Sequence, residues 1–440
     1  GVRGGASMKV TLYIEHGVGN GVGGAELMMA HLASAWSQDH DVTLVHHRPP
    51  LTHERFAAFT ADDLSRVRIR SLPREPDPPA PANPWRRYQA ARDWHRAVSE
   101  GADLFVACTH WLPPFCRATH GVLLVLFPFY VRPPDMAGMR ALPWLRRWRH
   151  RAYYDAEWRA RLATYQQRVT ISPFAQRWTR ARWGVDAAVV PPPVDVAFAS
   201  RAKRPQILSV GRFSTMAHTK KQREMARVFR DLAEGGLSGW RYACVGGLND
   251  RAENHAYFDE VRASLEGFPA EVAANLPPAT LRGLFEESSI FWHATGFGDD
   301  TDHRPELAEH FGISTVEAMA AGCVPVVVNK GGQRDLVEHG RTGFVWDTLE
   351  ELARFTRLLM DDEALRTRLA GAAREEGRRY ARPRFVSRMS EVCGVPRPAD
   401  AGAPLETVTP GMETVTPGAD TRGGAVPDGP PRAASAYWTR

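Results

Sequence analysis

Two carboxylates eight positions apart, Glu309 and Glu317, bracket the run Glu309-His-Phe-Gly-Ile-Ser-Thr-Val-Glu317. Phe311 and Gly312 lead backbone amides into a helix start, and the unpaired N–H groups there are what a phosphate needs. Glu309 is expected on the loop, at the mouth of a cleft. Glu317 is expected in the first helical turn, where Ser314-x-x-Glu317 also fits a capping box that needs no ligand. Further upstream, a strand ends Ser209-Val210-Gly211-Arg212 and a helix begins near Lys220-Lys221. An arginine at a strand's carboxyl end and a lysine at the next helix start offer cations and amides to a diphosphate. A plain surface Lys-Lys pair is the alternative.

A second loop could also hold phosphate. Gly19-x-Gly21-x-x-Gly24 stands between a strand and a helix, the context in which glycines let amides approach a pyrophosphate. The next strand ends His46-His47-Arg48, with no acidic residue to hold a ribose. Arg48 would tolerate a 2′-phosphate, so an NADP-dependent oxidoreductase is one reading, and a tight turn without ligand is another. The run Asp299-Asp300-Thr301-Asp302, near His293 and His303, contains an Asp-x-Asp that could clamp a metal. It falls in a polar insertion, 296–305, and reads first as a mobile loop at the cleft mouth.

The elements that carry these groups alternate. Strands are predicted at 9–16, 41–47, 103–108, 122–127, 206–210, 241–245, 271–276, 289–294 and 324–328, with helical segments between them, the first at 25–38. Regular alternation predicts parallel sheets with helices on both faces, an α/β architecture. Pro191-Pro192-Pro193-Val194-Asp195 cannot continue a helix or an inner strand and marks the hinge. The expected division is an N-terminal Rossmann-like domain over 8–195, on the acceptor side, and a C-terminal one over 196–380. A helix at 381–395 would pack back on the N-domain. Residues 396–440, with eight prolines, six glycines and the near-repeat Glu406-Thr-Val-Thr-Pro-Gly, Glu413-Thr-Val-Thr-Pro-Gly, form an expected disordered tail.

Composition narrows the class. The 440 residues are 43% apolar and 24% charged, as in an ordinary globular protein. The longest apolar run, 121–131, is too short to span a bilayer, and the residues before Met8 lack a signal-peptide core. Five dispersed cysteines give neither a disulfide framework nor a zinc site, so the cytoplasm is the expected compartment. The net charge of +6 does not call for nucleic acid. Its basic residues cluster: 140–168 holds eight arginines among Trp144, Leu145, Trp148, Tyr153, Tyr154, Trp158 and Leu162. That stretch suits a helix on anionic lipid at the inner membrane face, centred on 140–165, or a face for an acidic acceptor. A solvated helix packed on its own domain is the plainer account.

Gly23-Gly24-Ala25-Glu26, Pro192-Pro193-Val194-Asp195, Gly211-Arg212 with Lys220 or Lys221, and above all Glu309-x7-Glu317 running into Glu-Ala-Met-Ala-Ala-Gly resemble the family-4 retaining glycosyltransferases of GT-B fold. The resemblance covers about 8–395, and Gly331-Gly332-Gln333 and Gly340-Arg341-Thr342-Gly343-Phe344 continue the pattern. It implies two facing domains, a nucleotide diphosphate sugar as donor, retention at the anomeric carbon and no metal or other cofactor. Arg212, Lys220 and Lys221 would neutralise the diphosphate, and Glu309 would lie beside the sugar. The motif residues His310, Phe311, Gly312, Ile313 and Ser314 would hold phosphate or sugar, and Glu317 the ribose. Gly211, with Gly23 and Gly24 from the other domain, would close on the phosphates, and Asn275 and Leu276 would border the base. Relatives often carry a histidine where Leu126 stands, and His110 is the nearest substitute. Without one, a catalytically silent sugar-nucleotide binder is a third reading. The acceptor, a glycan, a lipid-linked sugar or a natural product, is left open.

Overall fold

The computed structural model describes residues 7–14, 24–46, 62–73, 75, 84–109, 112–129, 144–215 and 219–396. Most of the 17–24 glycine loop (Gly23 included), Arg48, His110 and the tail from 397 lie outside them. The first sheet holds β1 (Lys9–Ile14), β2 (Asp41–His46), β3 (Arg68–Ser71), β4 (Leu104–Thr109), β5 (His120–Val125), β6 (Gln167–Thr170) and β7 (Ala188–Val189). Its strands are all parallel, in the order β3-β2-β1-β4-β5-β6-β7. Helices α1 (Gly24–Trp36), α2 (Pro84–Ser99), α3 (Trp144–Leu162) and α4 (Pro173–Trp183) connect them.

The second sheet holds β8 (Arg204–Val210), β9 (Arg241–Gly246), β10 (Ala270–Ala274), β11 (Ser288–His293), β12 (Val324–Val328) and β13 (Phe344–Trp346), again all parallel, ordered β10-β9-β8-β11-β12-β13. Around it lie α5 (Gln222–Glu234), α6 (Ala252–Ser264), α7 (Pro278–Glu287), α8 (Ile313–Ala321), α9 (Gln333–Leu336), α10 (Leu349–Asp361) and α11 (Glu363–Gly377), and α12 (Arg382–Cys393) follows. Helices cover both faces of the central strands, so β4, β11 and β12 are buried throughout, and β4 and β12 are apolar at nearly every position. In each sheet the strand order reverses direction once, between β1 and β4 and between β8 and β11. Ligands of such sheets collect outside the carboxyl ends of strands at that point.

The chain passes between the sheets twice, and the two passages touch: the Val194 amide donates to the Tyr380 carbonyl at 2.9 Å. Beyond that contact α12 packs on α1, where the Trp36 indole donates to the Ser390 hydroxyl at 2.9 Å, and Arg382 pairs with the buried Asp62. One apolar cluster runs from β1 and α1 through Phe311, Val316 and Leu336 to Phe385 and Met389 of α12. The domains therefore share core packing along one side of the cleft. Among the described residues there is no disulfide, all five cysteines are buried, and no helix is long and apolar enough to cross a membrane.

The arginine-rich helix α3 divides along its length. Trp148 is 63% exposed, whereas Arg161 is 2% exposed and makes no surface contribution. Its guanidinium grips both oxygens of Glu75 at 2.6 and 2.9 Å, reaches Glu157 at 2.5 Å and donates to the Pro113 carbonyl at 3.0 Å. Trp158 packs edge-on against Trp183, 4.9 Å between centroids. The carboxyl-terminal end of α3 is thus anchored through Arg161 and Trp158, while Trp148, Ala152, Ala156, Arg159 and Ala160 are exposed.

Candidate active site

The site is assembled at the switch point of the second sheet. Gly211 follows β8, and a β-carbon there would stand 2.6 Å from Cγ of Lys220. The glycine lets the lysine stem lie flat over the strand end, which carries its ammonium across to Glu309: Nζ and Oε2 are 2.5 Å apart. Arg212, next in the chain, is exposed at the same strand end. The two lysines part company. Lys221 has a left-handed backbone (φ 57°), and its ammonium binds Asp299 at 2.8 Å instead. Of the two lysines expected at the diphosphate, Lys220 joins the Glu309 cluster, and the left-handed turn points Lys221 at the 296–305 loop.

That loop is linked to the start of α5 through Lys221–Asp299. Besides Lys221–Asp299, Asp300 pairs with His303 at 2.9 Å, and Glu306 meets Arg182 of the first domain at 2.8 Å. Asp299 faces the Lys221 ammonium and Asp300 the His303 ring, and among the described residues no group of three His, Cys, Asp or Glu is arranged to hold a metal.

Glu309 is set by its backbone. The Gly332 amide donates to its carbonyl at 2.7 Å, and a β-carbon on Gly331 would fall 2.2 Å from that same oxygen. Gly331-Gly332 is therefore a buttress under the acidic loop. Gly312 has φ 117°, and a β-carbon there would meet the Gln333 amide, which bonds Thr315 at 2.9 Å. This turn delivers the chain into α8 with Gly312 as the N-cap residue and no side-chain cap. Ser314 lies inside the helix, so the capping box does not form, and Glu317 is free for other use. The first helical turn leaves amides without intrahelical partners. Gly24, opening α1 in the other domain, would put a β-carbon 3.3 Å from the Ile313 side chain. The N-terminal residues of α1 and α8 are thus neighbours across the domains, and helix N-termini are places that favour an anion.

Other expected residues fall into different places. Phe311 is buried against Tyr380, so only its backbone faces the turn. His310 stacks on Phe127 of the first domain, 3.9 Å between rings at 7°, and its carbonyl accepts from Ser172 at 2.6 Å. These contacts join the two domains at His310. Asn275 (φ 53°) exchanges two 2.9 Å hydrogen bonds with the Leu248 backbone, and Leu276 is half-buried beside it. The asparagine side chain is spent on joining the ends of β9 and β10. Leu126 belongs to the apolar core and offers no polar group.

The sequence reading missed one residue of the cluster. His293, the last of β11, is 3% exposed and places Nε2 3.3 Å from Glu309 Oε2. Burial pushes its imidazole pKa down, more than the neighbouring Glu309 raises it, so the ring is neutral at pH 7. Burial alone would raise the Glu309 carboxyl, but the Lys220 ammonium and the His293 hydrogen bond hold it well below the usual range. It is ionised. Glu317 behaves oppositely: burial, with the Asp195 carboxylate, pushes it up to about 7 against a weaker pull from Arg282.

Residues 22–198 match the family described as Glycosyltransferase Family 4, and residues 195–376 match Glycosyl transferases group 1. A Dictyostelium discoideum protein named GDP-Man:Man(3)GlcNAc(2)-PP-Dol alpha-1,2-mannosyltransferase is 27% identical over 222 residues, 47% of this chain and 42% of its own length. The chain spans less than half the length of such curated relatives. Among solved structures, a glycosyltransferase from Rickettsia africae superposes with a TM-score of 0.63 at 14% identity, covering 88% of this chain and 98% of that one. Anabaena Alr3699/HepE, crystallised with UDP and glucose, gives 0.58 at 14% identity, covering 88% and 99%. With the two family models matched in tandem and solved glycosyltransferases superposing over 88% of the chain, the chain belongs to the group 1, family 4 glycosyltransferases of GT-B fold.

Proposed function

We propose that this protein transfers a glycosyl group, with retention, from a nucleoside diphosphate sugar to a lipid-linked or other glycan acceptor, without a metal. The observation that carries the reading is the Lys220–Glu309 pair, seated where the N-termini of α1 and α8 meet. A diphosphate between those termini takes Lys220 and Arg212 as its counter-charges, which supports leaving-group departure by fixed cations and dipoles. Glu309, ionised beside them, is placed to hold sugar hydroxyls and to face positive charge growing at the anomeric carbon. An oxidoreductase using the glycine loop leaves this second-domain cluster without a purpose. The exposed Trp148 on a basic helix, and the dolichol-linked substrate in the names of the curated relatives, favour a lipid-linked acceptor met at the inner membrane face, with the protein in the cytoplasm.

The first test is thermal unfolding with UDP, GDP, ADP, dTDP, their sugar conjugates and NADP. A ligand at a hundred times its Kd stabilises by about 2.7 kcal/mol. A shift with one nucleoside diphosphate is expected, and a shift with NADP alone would overturn the reading. Nucleotide release with an acceptor then separates an enzyme from a silent binder.

Glu317 makes donor binding pH-dependent. Ribose hydroxyls donate to a carboxylate, so binding favours the ionised form and expels a proton wherever free Glu317 is protonated. With its pKa at about 7, affinity for an intact nucleotide sugar is expected to fall below pH 7, by up to about tenfold per unit. Titration calorimetry at pH 6 and pH 8 measures this. Glu317→Gln should bind weakly at both, with the pH difference gone.

A further inference from the structure

We propose that His293 is a positioning residue for Glu309: it shares one carboxylate oxygen with Lys220 and so aims the other oxygen at the donor sugar. The inference rests on the glycosyl-transfer reading for its consequence, but its geometry stands apart from it. Both described contacts of the Glu309 carboxylate, from Lys220 Nζ at 2.5 Å and His293 Nε2 at 3.3 Å, end on Oε2. Among the described residues Oε1 has no partner.

The tautomer follows from donor counting. An ionised carboxylate only accepts, so the hydrogen of His293 sits on Nε2 and Nδ1 is a bare acceptor. Nδ1 is buried with no hydrogen-bond partner among the described residues. Protonating it would create a buried, unsatisfied donor, which keeps the ring neutral. The charged groups facing the ring are Glu309 and Lys220, and the Thr295 hydroxyl lies 3.3 Å from Nε2. Without the imidazole, nothing opposes the carboxylate swinging until both oxygens face the Lys220 ammonium. That would turn Oε1 from the sugar while Lys220 stays paired with Glu309, as it already is.

The experiment has two arms. In 15N-histidine spectra, with the His293 signals identified by their loss in His293→Gln, the wild-type ring is expected as the Nε2–H tautomer from pH 6 to 9. In Glu309→Gln the Nε2 signal should move. An Nδ1–H tautomer, or signals indifferent to E309Q, would overturn the proposal, and this arm needs no turnover. In the second arm, His293→Ala and His293→Asn should lose at least about tenfold in kcat with donor KM nearly unchanged, since small misplacements of a reacting group cost that much. His293→Gln, whose amide reaches the position of Nε2, should recover most of the loss, whereas Asn reaches only that of Nδ1. Equal kcat in the Gln and Asn variants, with unchanged thermal midpoints, would also overturn it. A wild-type protein that consumes no nucleotide sugar would fail the functional reading instead, and leave the spectra to decide the role of His293.

Discussion

Glu309→Gln is expected to lower kcat a hundredfold to a thousandfold while a nucleoside diphosphate still binds as tightly as before, or more tightly. The loss follows from removing a fixed charge aimed at the reacting centre, a change worth roughly 3–4 kcal/mol in comparable sites. In the structure Lys220 is held by Glu309 at 2.5 Å, so neutralising the acid releases the ammonium to the phosphates. Lys220→Met should do the reverse, weakening nucleotide binding first. Measuring kcat, donor KM and nucleotide Kd for both variants separates the roles. Wild-type turnover in E309Q would show that the chemistry lies elsewhere.

Arg161→Ala is expected to be the most destabilising single change outside the site, by roughly 3–5 kcal/mol in the unfolding of the first domain. Its guanidinium answers Glu75, Glu157 and the Pro113 carbonyl from a position 2% exposed. Deleting it leaves two carboxylates without their counter-charge in a poorly hydrated place. Urea unfolding reads the loss, and the Arg161→Ala/Glu75→Ala double variant should lose less than the sum of the two singles. A pH test follows from Glu75: burial would raise its carboxyl, but hydrogen bonds from His95 and Arg161 hold it down to about 2. Its stabilisation is complete above the ordinary carboxylate pKa of 4.5 and is lost as pH falls from there through about 2. An R161A protein as stable as wild type would mean the cluster is solvated.

Arg161 also shows where sequence reading stops. In the sequence it is one of eight arginines in a basic, aromatic stretch, and nothing local distinguishes it from those suited to a membrane. Its partner Glu75 is 86 positions away, and only folding decides that this arginine points inward.

What the sequence by itself determined is the layout. Period and punctuation marked the alternating strands and helices, the prolines at 191–193 between the two sheets, and the glycines beside which Arg212 follows a strand and Glu309 precedes a helix, whereas Glu317, expected in the first turn of α8, is its fifth residue. The strand Val324–Val328 was legible to the residue, because a parallel strand buried on both faces is a plain apolar run. These are local properties of the backbone, written in neighbouring residues. The tertiary structure decided which groups meet. It sent Lys220 to Glu309 and Lys221 to Asp299, with one left-handed residue between their paths, moved the helix cap from Ser314 to Gly312, and turned His310 to the domain interface. Above all it set β11 beside β8, which puts His293 next to a pair formed across 89 positions of chain. Periodicity carries no information about strand order, and ion pairs form between groups that the sheets bring together, however far apart they stand in the sequence.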